Sequence, residues 1–468
     1  MQQLSHQDAV FAYMETASTP AQLAWLNIYD PSTAPGGQAD FDAILRHVEA
    51  RLHTAPFYRQ KLVFVPGNLA EPYWVDDEAF NLEYHVRHIA LPPPGDWAQL
   101  CTLAARVFAR PFDLSKPLWE LYVIDGLDRV EGYPPGCFAV LAKMHHAAID
   151  GVSGVDVTTW LHSPRPDTPL PPRQAWHAEP RPSRLELVLR AMVSRAMNPG
   201  RRSRTIARSL PGIGRLLAAI EAGDLRKPRR RKIPPTRFSG PVGRYRVMAA
   251  RRFRLEDVKP IRRLAPGSTV NDVVLAVVGG ALRRYLLAHR ELPPESLVSA
   301  CPISVRTEAQ SGQLGNQISF MFIGLATDCD DPAERLRSIR ADTDNAKGFN
   351  ERIGARTLTE LSEIVPGALV GLGMRLSTRL LGGGVANTTV TNVPGPRQPL
   401  YLAGARALSQ FALGPLLPSL GLFHTVLSYC GEVTLTVVAD RDKLPDPDVY
   451  SRCIAESFAE LAAAAAAV

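Results

Sequence analysis

The chain has 468 residues, 46% apolar and 21% charged, which is long enough to bury a sizeable core and too apolar for a disordered polyelectrolyte. A net charge of +7 points to an anionic partner without distinguishing nucleic acid, a membrane surface or a phosphate-bearing small molecule. Six cysteines without a C-x-x-C pair exclude a disulfide framework and a zinc site, and Met1–His6 shows neither the basic nor the apolar stretch of a secretory signal, so a reducing, cytoplasmic setting is expected.

In chain order, Leu4-Ser5-His6-Gln7-Asp8 ahead of Ala9, Val10 and Phe11 predicts a capped first helix, and Phe41 to Leu52 an amphipathic one. Leu121–Ile124 and Phe138–Met144 predict strands. The second is apolar except for Lys143, as befits a strand covered on both faces. Residues 1–180 thus form a first α/β unit. Residues 181–237 differ: 16 Lys/Arg stand against 3 Asp/Glu, a net +13 that leaves −6 for the rest of the chain. Leu185, Val188, Leu189 and Met192 follow helical spacing there, as do Ile206, Leu210, Ile213, Leu217 and Ile220, so this is a linker with one or two basic amphipathic helices.

Residues 238–468 resume the alternation. Val270 to Leu287 predicts a helix opened by Ser268, Thr269 or Asn271, and Leu297–Val305, Ile318–Ile323 and Val433–Val438 predict strands. Ala407–Gly431 lacks charge, but Gly414, Pro415, Pro418 and Gly421 would break the roughly 20-residue helix that a membrane span needs. It reads as buried strand, turn and strand, or as the wall of an apolar pocket. A final helix starts near Asp448 and frays in the alanines before Val468.

The chemistry-bearing segment is Met144-His145-His146-Ala147-Ala148-Ile149-Asp150-Gly151. It follows an apolar strand, and a strand end holds a side chain rigidly where sites gather. A neutral imidazole is the side chain best suited to accept a proton near pH 7. Asp150 is close enough in a tight turn to orient the loop or a ring, and Gly151 permits a positive φ or a close approach of substrate. The plainer reading is two hydrogen-bonded histidines at a strand end. No H-E-x-x-H or G-x-S-x-G is present to favour a metalloenzyme or a serine hydrolase.

His145-His146-Ala147-Ala148-Ile149-Asp150-Gly151 resembles the H-H-x-x-x-D-G motif of the CoA-dependent acyltransferase superfamily, which includes chloramphenicol acetyltransferases and peptide-synthetase condensation domains. Pro117-Leu118-Trp119-Glu120, Asn271-Asp272-Val273, Gly315-Asn316-Gln317-Ile318-Ser319, Asn392-Val393-Pro394-Gly395-Pro396, His85-Val86-Arg87 and the opening Leu4-Ser5-x-x-Asp8 are similar to the bacterial wax ester synthase/diacylglycerol acyltransferase family. These matches run in order over most of the chain.

The resemblance implies an α/β fold of two chloramphenicol-acetyltransferase-like subdomains, each a mixed sheet with flanking helices, and an active site between them. It implies O-acyl transfer from acyl-CoA to diacylglycerol or a long-chain alcohol, with no permanently bound cofactor and no metal. It places the general base on His146, and His145 and Asp150 at supporting positions. Arg306 is the candidate ion-pair partner of Asp150. Asn271 is either an oxyanion donor or a helix cap, two roles that sequence leaves open. Pro117 and Trp119 read as packing residues.

A condensation-type enzyme with another acyl donor would share the histidine motif but not the flanking ones. A non-catalytic lipid- or CoA-binding protein would not need His146, Asp150 and Asn271 together. Nucleic-acid binding fits the charge of residues 181–237, but that segment has no Phe, Tyr or Trp for base stacking. The same segment suits peripheral docking on an anionic inner membrane or lipid inclusion.

Overall fold

The computed structural model describes residues 1–149, 160–172, 174–197, 233–304, 318–353 and 386–467. Two six-stranded sheets organise them. The first runs in the order Tyr401–Leu402, Ala405–Leu413, Gln22–Asp30, Phe138–His145, Trp119–Asp125, Val86–Ala90. It is antiparallel except for its last pair. The second runs Ile318–Gly324, Val298–Ser304, Thr388–Val393, Leu422–Tyr429, Glu432–Asp440, Arg246–Arg254, with Thr388–Val393 parallel to both its neighbours. A smaller sheet of Gln2–Gln3, Tyr73–Asp76 and Gln60–Val63 lies beside the first.

The charge-free stretch expected as strand, turn and strand adopts that form, but its two strands serve different sheets. Ala405–Leu413 comes from the second half of the chain yet pairs antiparallel with Gln22–Asp30, from Arg406 opposite Asp30 to Leu413 opposite Ala24. Leu422–Tyr429 stays in the second sheet.

The histidine strand, Phe138–His145, is buried on both faces, which explains its apolar run. Phe138, Val140 and Met144 enter a core built with the first helix, His6–Met14. Ala139 and Leu141 enter a second core against the helix Trp97–Phe108. That second core also takes Met248, Ala250, Phe423 and Val438 from the other sheet, so it is the seam between the halves.

Lys143 shares the seam-facing side. Its ammonium is buried, 3.3 Å from Glu120 Oε2, and donates to the Arg110 carbonyl at 2.6 Å. Desolvation lowers its pKa while Glu120 opposes the shift. The pair pins the turn at Arg110, next to the end of the histidine strand.

On the outer face of the second sheet lie the helices Val270–Ala288, Pro332–Ile353 and Pro447–Ala466. The first and last approach closely at Gly280, where an added Cβ would overlap the Ser457 hydroxyl. At Gly279 it would overlap the Leu325 carbonyl oxygen. The helix carrying Asn271 is therefore fixed against both sheet and helix. Among the described residues, no helix is long and apolar enough to cross a membrane.

Candidate active site

The histidine pair sits where strand becomes helix. Gln22 and His145 form the last register pair between their strands. His145 N–H donates to the Leu118 carbonyl at 3.0 Å, and His146 N–H donates to the Ala21 carbonyl at 2.8 Å. Two adjacent backbone amides thus anchor to the residues just ahead of two different strands, and the chain turns at His146 into the short helix His146–Ile149.

His145 is fully buried and held at both ring nitrogens. The Ala147 N–H donates to Nδ1 at 3.1 Å, so the ring proton resides on Nε2, which donates to the Glu15 carboxylate at 2.6 Å. The Phe112 ring meets it edge-on, with centroids 6.4 Å apart. A ring clamped on both nitrogens is a positioning element, because neither nitrogen remains for a substrate proton.

His146 is the opposite case. Its ring stacks on Phe11 of the first helix, with centroids 3.7 Å apart and planes 13° apart. Its Nδ1 is buried with no hydrogen-bond partner among the described residues. Burial, reinforced by neighbouring His145, pushes its pKa down to about 4, although its own backbone carbonyl works in the opposite direction. The imidazole is therefore uncharged at neutral pH and able to accept a proton.

Glu15 and Phe11 were not among the residues singled out from sequence. Phe11 was legible only as an apolar position of the first helix. Glu15 caps the C-terminus of that helix, 130 residues from its partner.

Asn271 stands in the first turn of Val270–Ala288 but does not cap it. Thr269 is the N-cap: its hydroxyl accepts from Asp272 N–H at 3.2 Å, while Asp272 Oδ2 accepts from Thr269 N–H at 2.7 Å. This reciprocal box satisfies two end donors and leaves the Asn271 amide free of the capping role. Trp119 packs as expected. It is 1% exposed, its Nε1 donates to the Tyr58 carbonyl at 2.8 Å, and it stacks on His85 at 4.6 Å. Asp150, Gly151, Arg306 and the predicted Ile206–Ile220 helix lie outside the described residues.

The catalytic-domain model of wax ester synthase/diacylglycerol acyltransferase matches residues 4–274, and the C-terminal-domain model of the same proteins matches residues 314–462. The chain belongs to the wax ester synthase/diacylglycerol acyltransferase family. A putative diacylglycerol O-acyltransferase of Mycobacterium tuberculosis is 36% identical over 450 residues, covering 95% of this chain and 87% of that one. A probable diacylglycerol O-acyltransferase of the same organism is 31% identical over 453 residues, covering 94% of each. Among solved structures, the wax ester synthase/diacylglycerol acyltransferase of Marinobacter aquaeolei VT8 superposes over 100% of both chains with a TM-score of 0.71 at 24% identity. The first condensation domain of the calcium-dependent antibiotic synthetase covers 99% of this chain and 96% of its own, with a TM-score of 0.57 at 14% identity. The two-sheet fold expected for the family is thus the fold observed.

Proposed function

We propose that this family member transfers the fatty acyl group of an acyl-CoA to the hydroxyl of diacylglycerol or a long-chain alcohol, with His146 as general base. The observation that carries the reading is a neutral imidazole with a free buried nitrogen, beside a histidine clamped by Glu15. The alcohol oxygen attacks the thioester carbonyl and His146 takes its proton. The tetrahedral intermediate then collapses, the C–S bond breaks, and the departing thiolate receives the proton. Asn271, free of the helix cap, is suited to donate to the oxyanion. Asp150, Gly151 and Arg306 support the histidine loop in this reading. Nothing in the sequence requires a permanent cofactor.

Release of free thiol from palmitoyl-CoA, with either hexadecanol or diacylglycerol as acceptor, tests the activity. No thiol release and no ester with any alcohol would overturn it.

Peripheral docking on an anionic lipid surface, such as the inner membrane or a lipid inclusion, belongs to the same proposal. The helix Arg184–Met197 buries Leu187 and Ala191 against Val65, Tyr73 and Val75. Its other side leaves Leu185 68% and Met192 59% exposed, directly ahead of the most basic part of the chain. An apolar stripe flanked by cations is what an interfacial helix requires. Reversing the charge of Arg201, Arg202 and Arg204, or placing Glu at Leu185 and Met192, should weaken binding to anionic vesicles while leaving turnover of dispersed substrate intact. Unchanged vesicle binding would refute the docking.

A further inference from the structure

A cavity of about 950 Å³ opens between the halves, walled by the helix Trp97–Phe108, the strand Arg246–Arg254 and the start of the helix Pro447–Ala466. Arginines dominate its lining. Arg106, Arg110, Arg244, Arg441 and Arg452 all line it and none forms an ion pair with a described residue, whereas Asp448 is the one carboxylate among the described residues of the wall. Five unneutralised guanidiniums around one hollow repel one another, a cost that an anion of several charges would relieve.

The cavity is also built rather than incidental. Arg246, 7% exposed, donates to the carbonyls of Gly243 at 2.6 Å and Tyr245 at 3.1 Å, and to that of Ser18 across the seam. Beside it Tyr245 is 60% exposed, and the Arg441 guanidinium lies 4.2 Å from its ring centroid. An exposed aromatic ring next to clustered guanidiniums suits a nucleotide better than a bare phosphate, because it offers a face for a base as well as donors for phosphates.

The cavity wall also includes Ala17, two residues past Glu15, and Arg110-Pro111, which precede Phe112, whose ring meets His145.

We propose that this arginine-walled cavity holds the phosphate-bearing nucleotide end of the acyl-CoA donor, with Arg106, Arg244, Arg441 and Arg452 on the phosphates and Tyr245 against the base. The proposal rests on the acyl-CoA reading above, and its test separates the two.

Rates are measured with palmitoyl-CoA and with palmitoyl-pantetheine, which presents the same thioester without the nucleotide. In the double variant Arg244→Gln/Arg441→Gln, KM for palmitoyl-CoA should rise about tenfold per lost guanidinium. Its kcat, and both constants for palmitoyl-pantetheine, should stay within twofold. An unchanged KM for palmitoyl-CoA, or an equal rise for both thioesters, would overturn the site.

Calorimetric titration of the full chain with adenosine 3′,5′-bisphosphate reads the site without catalysis. Saturable binding by the wild type that weakens in the double variant supports it, even if neither thioester is turned over. No binding by the wild type overturns it, and so does displacement of the nucleotide by an equal concentration of inorganic phosphate or by phosphatidylglycerol vesicles.

Discussion

The Glu15 carboxylate lies 2.6 Å from Nε2 of His145, tying the end of the first helix to the end of the histidine strand. Removing it frees a buried ring that, in the proposed mechanism, positions the neighbouring base His146. Glu15→Ala should lower kcat by about 10–100-fold with little change in KM, since small misplacements of a reacting group carry penalties of that order. Glu15→Gln keeps an acceptor oxygen and should recover most of the loss. Wild-type kcat in both variants would remove the positioning role.

His146→Ala should cost about 10²–10⁴ in kcat, the usual worth of a positioned general base. His146→Ala gives up the stacking on Phe11 but no Nδ1 hydrogen bond to a described residue, so the variant should unfold at a somewhat lower temperature yet remain folded under the assay conditions. Near-wild-type turnover would disprove the base assignment.

The pH profile reads the same ring. With His146 at about 4, kcat/KM should hold from neutrality down to about pH 5 and fall only below it. Phe11 covers one face of the ring, so Phe11→Ala admits water, weakens the desolvation and moves the acid limb upward toward the ordinary histidine value of about 6.5. Coincident acid limbs in the two proteins would show that Phe11 does not set the pKa.

Asn271 and Thr269 allow the proposed oxyanion role to be tested apart from capping within one turn. Asn271→Ala should reduce kcat by about 10²–10³, as for loss of an oxyanion donor, at nearly constant stability. Thr269→Ala should instead cost about 1 kcal/mol of stability through the lost cap. Urea unfolding alongside initial rates distinguishes the two, and a stability loss in Asn271→Ala without a rate loss would reverse the assignment.

Acid should destabilise the fold before it abolishes the chemistry. Burial pushes His47 and His424 down to about 3 and His146 to about 4. Between those values and the unfolded value of about 6.5, the unfolded chain binds more protons than the folded one. The stability of the neutral rings is therefore complete above that range and is lost as pH falls through it, on the order of 1 kcal/mol per histidine per pH unit. The ring nitrogens of His424 bond Thr388 at 2.9 Å and Tyr450 at 2.8 Å. His424→Gln retains hydrogen-bonding capacity without the titration, so its urea midpoint should vary less with pH between 7 and 5. An identical slope would exclude His424 as a contributor.

Local chemistry made much of this molecule legible in its sequence. Strands buried on both faces write continuous apolar runs, and Phe138–His145 was found to within one residue for that reason. The helix Val270–Ala288 was equally plain, but Ser268, Thr269 and Asn271 are all capping residue types, and only the reciprocal bonds of Asp272 select Thr269. The missed residues share another trait. Glu15 touches His145 only after the first helix packs on the strand, and no spacing rule spans that separation. The partnership of Ala405–Leu413 with Gln22–Asp30 was hidden likewise, because a strand's pattern reports its burial and not its neighbour.

That borrowed strand bears on how substrates come and go. A clamshell opening would have to unzip the ladder from Arg406–Asp30 to Leu413–Ala24 and tear the apolar seam behind it. The halves are laced together rather than hinged. A bulky lipid must then come and go with that ladder intact, and turnover should not follow the rate of a domain swing.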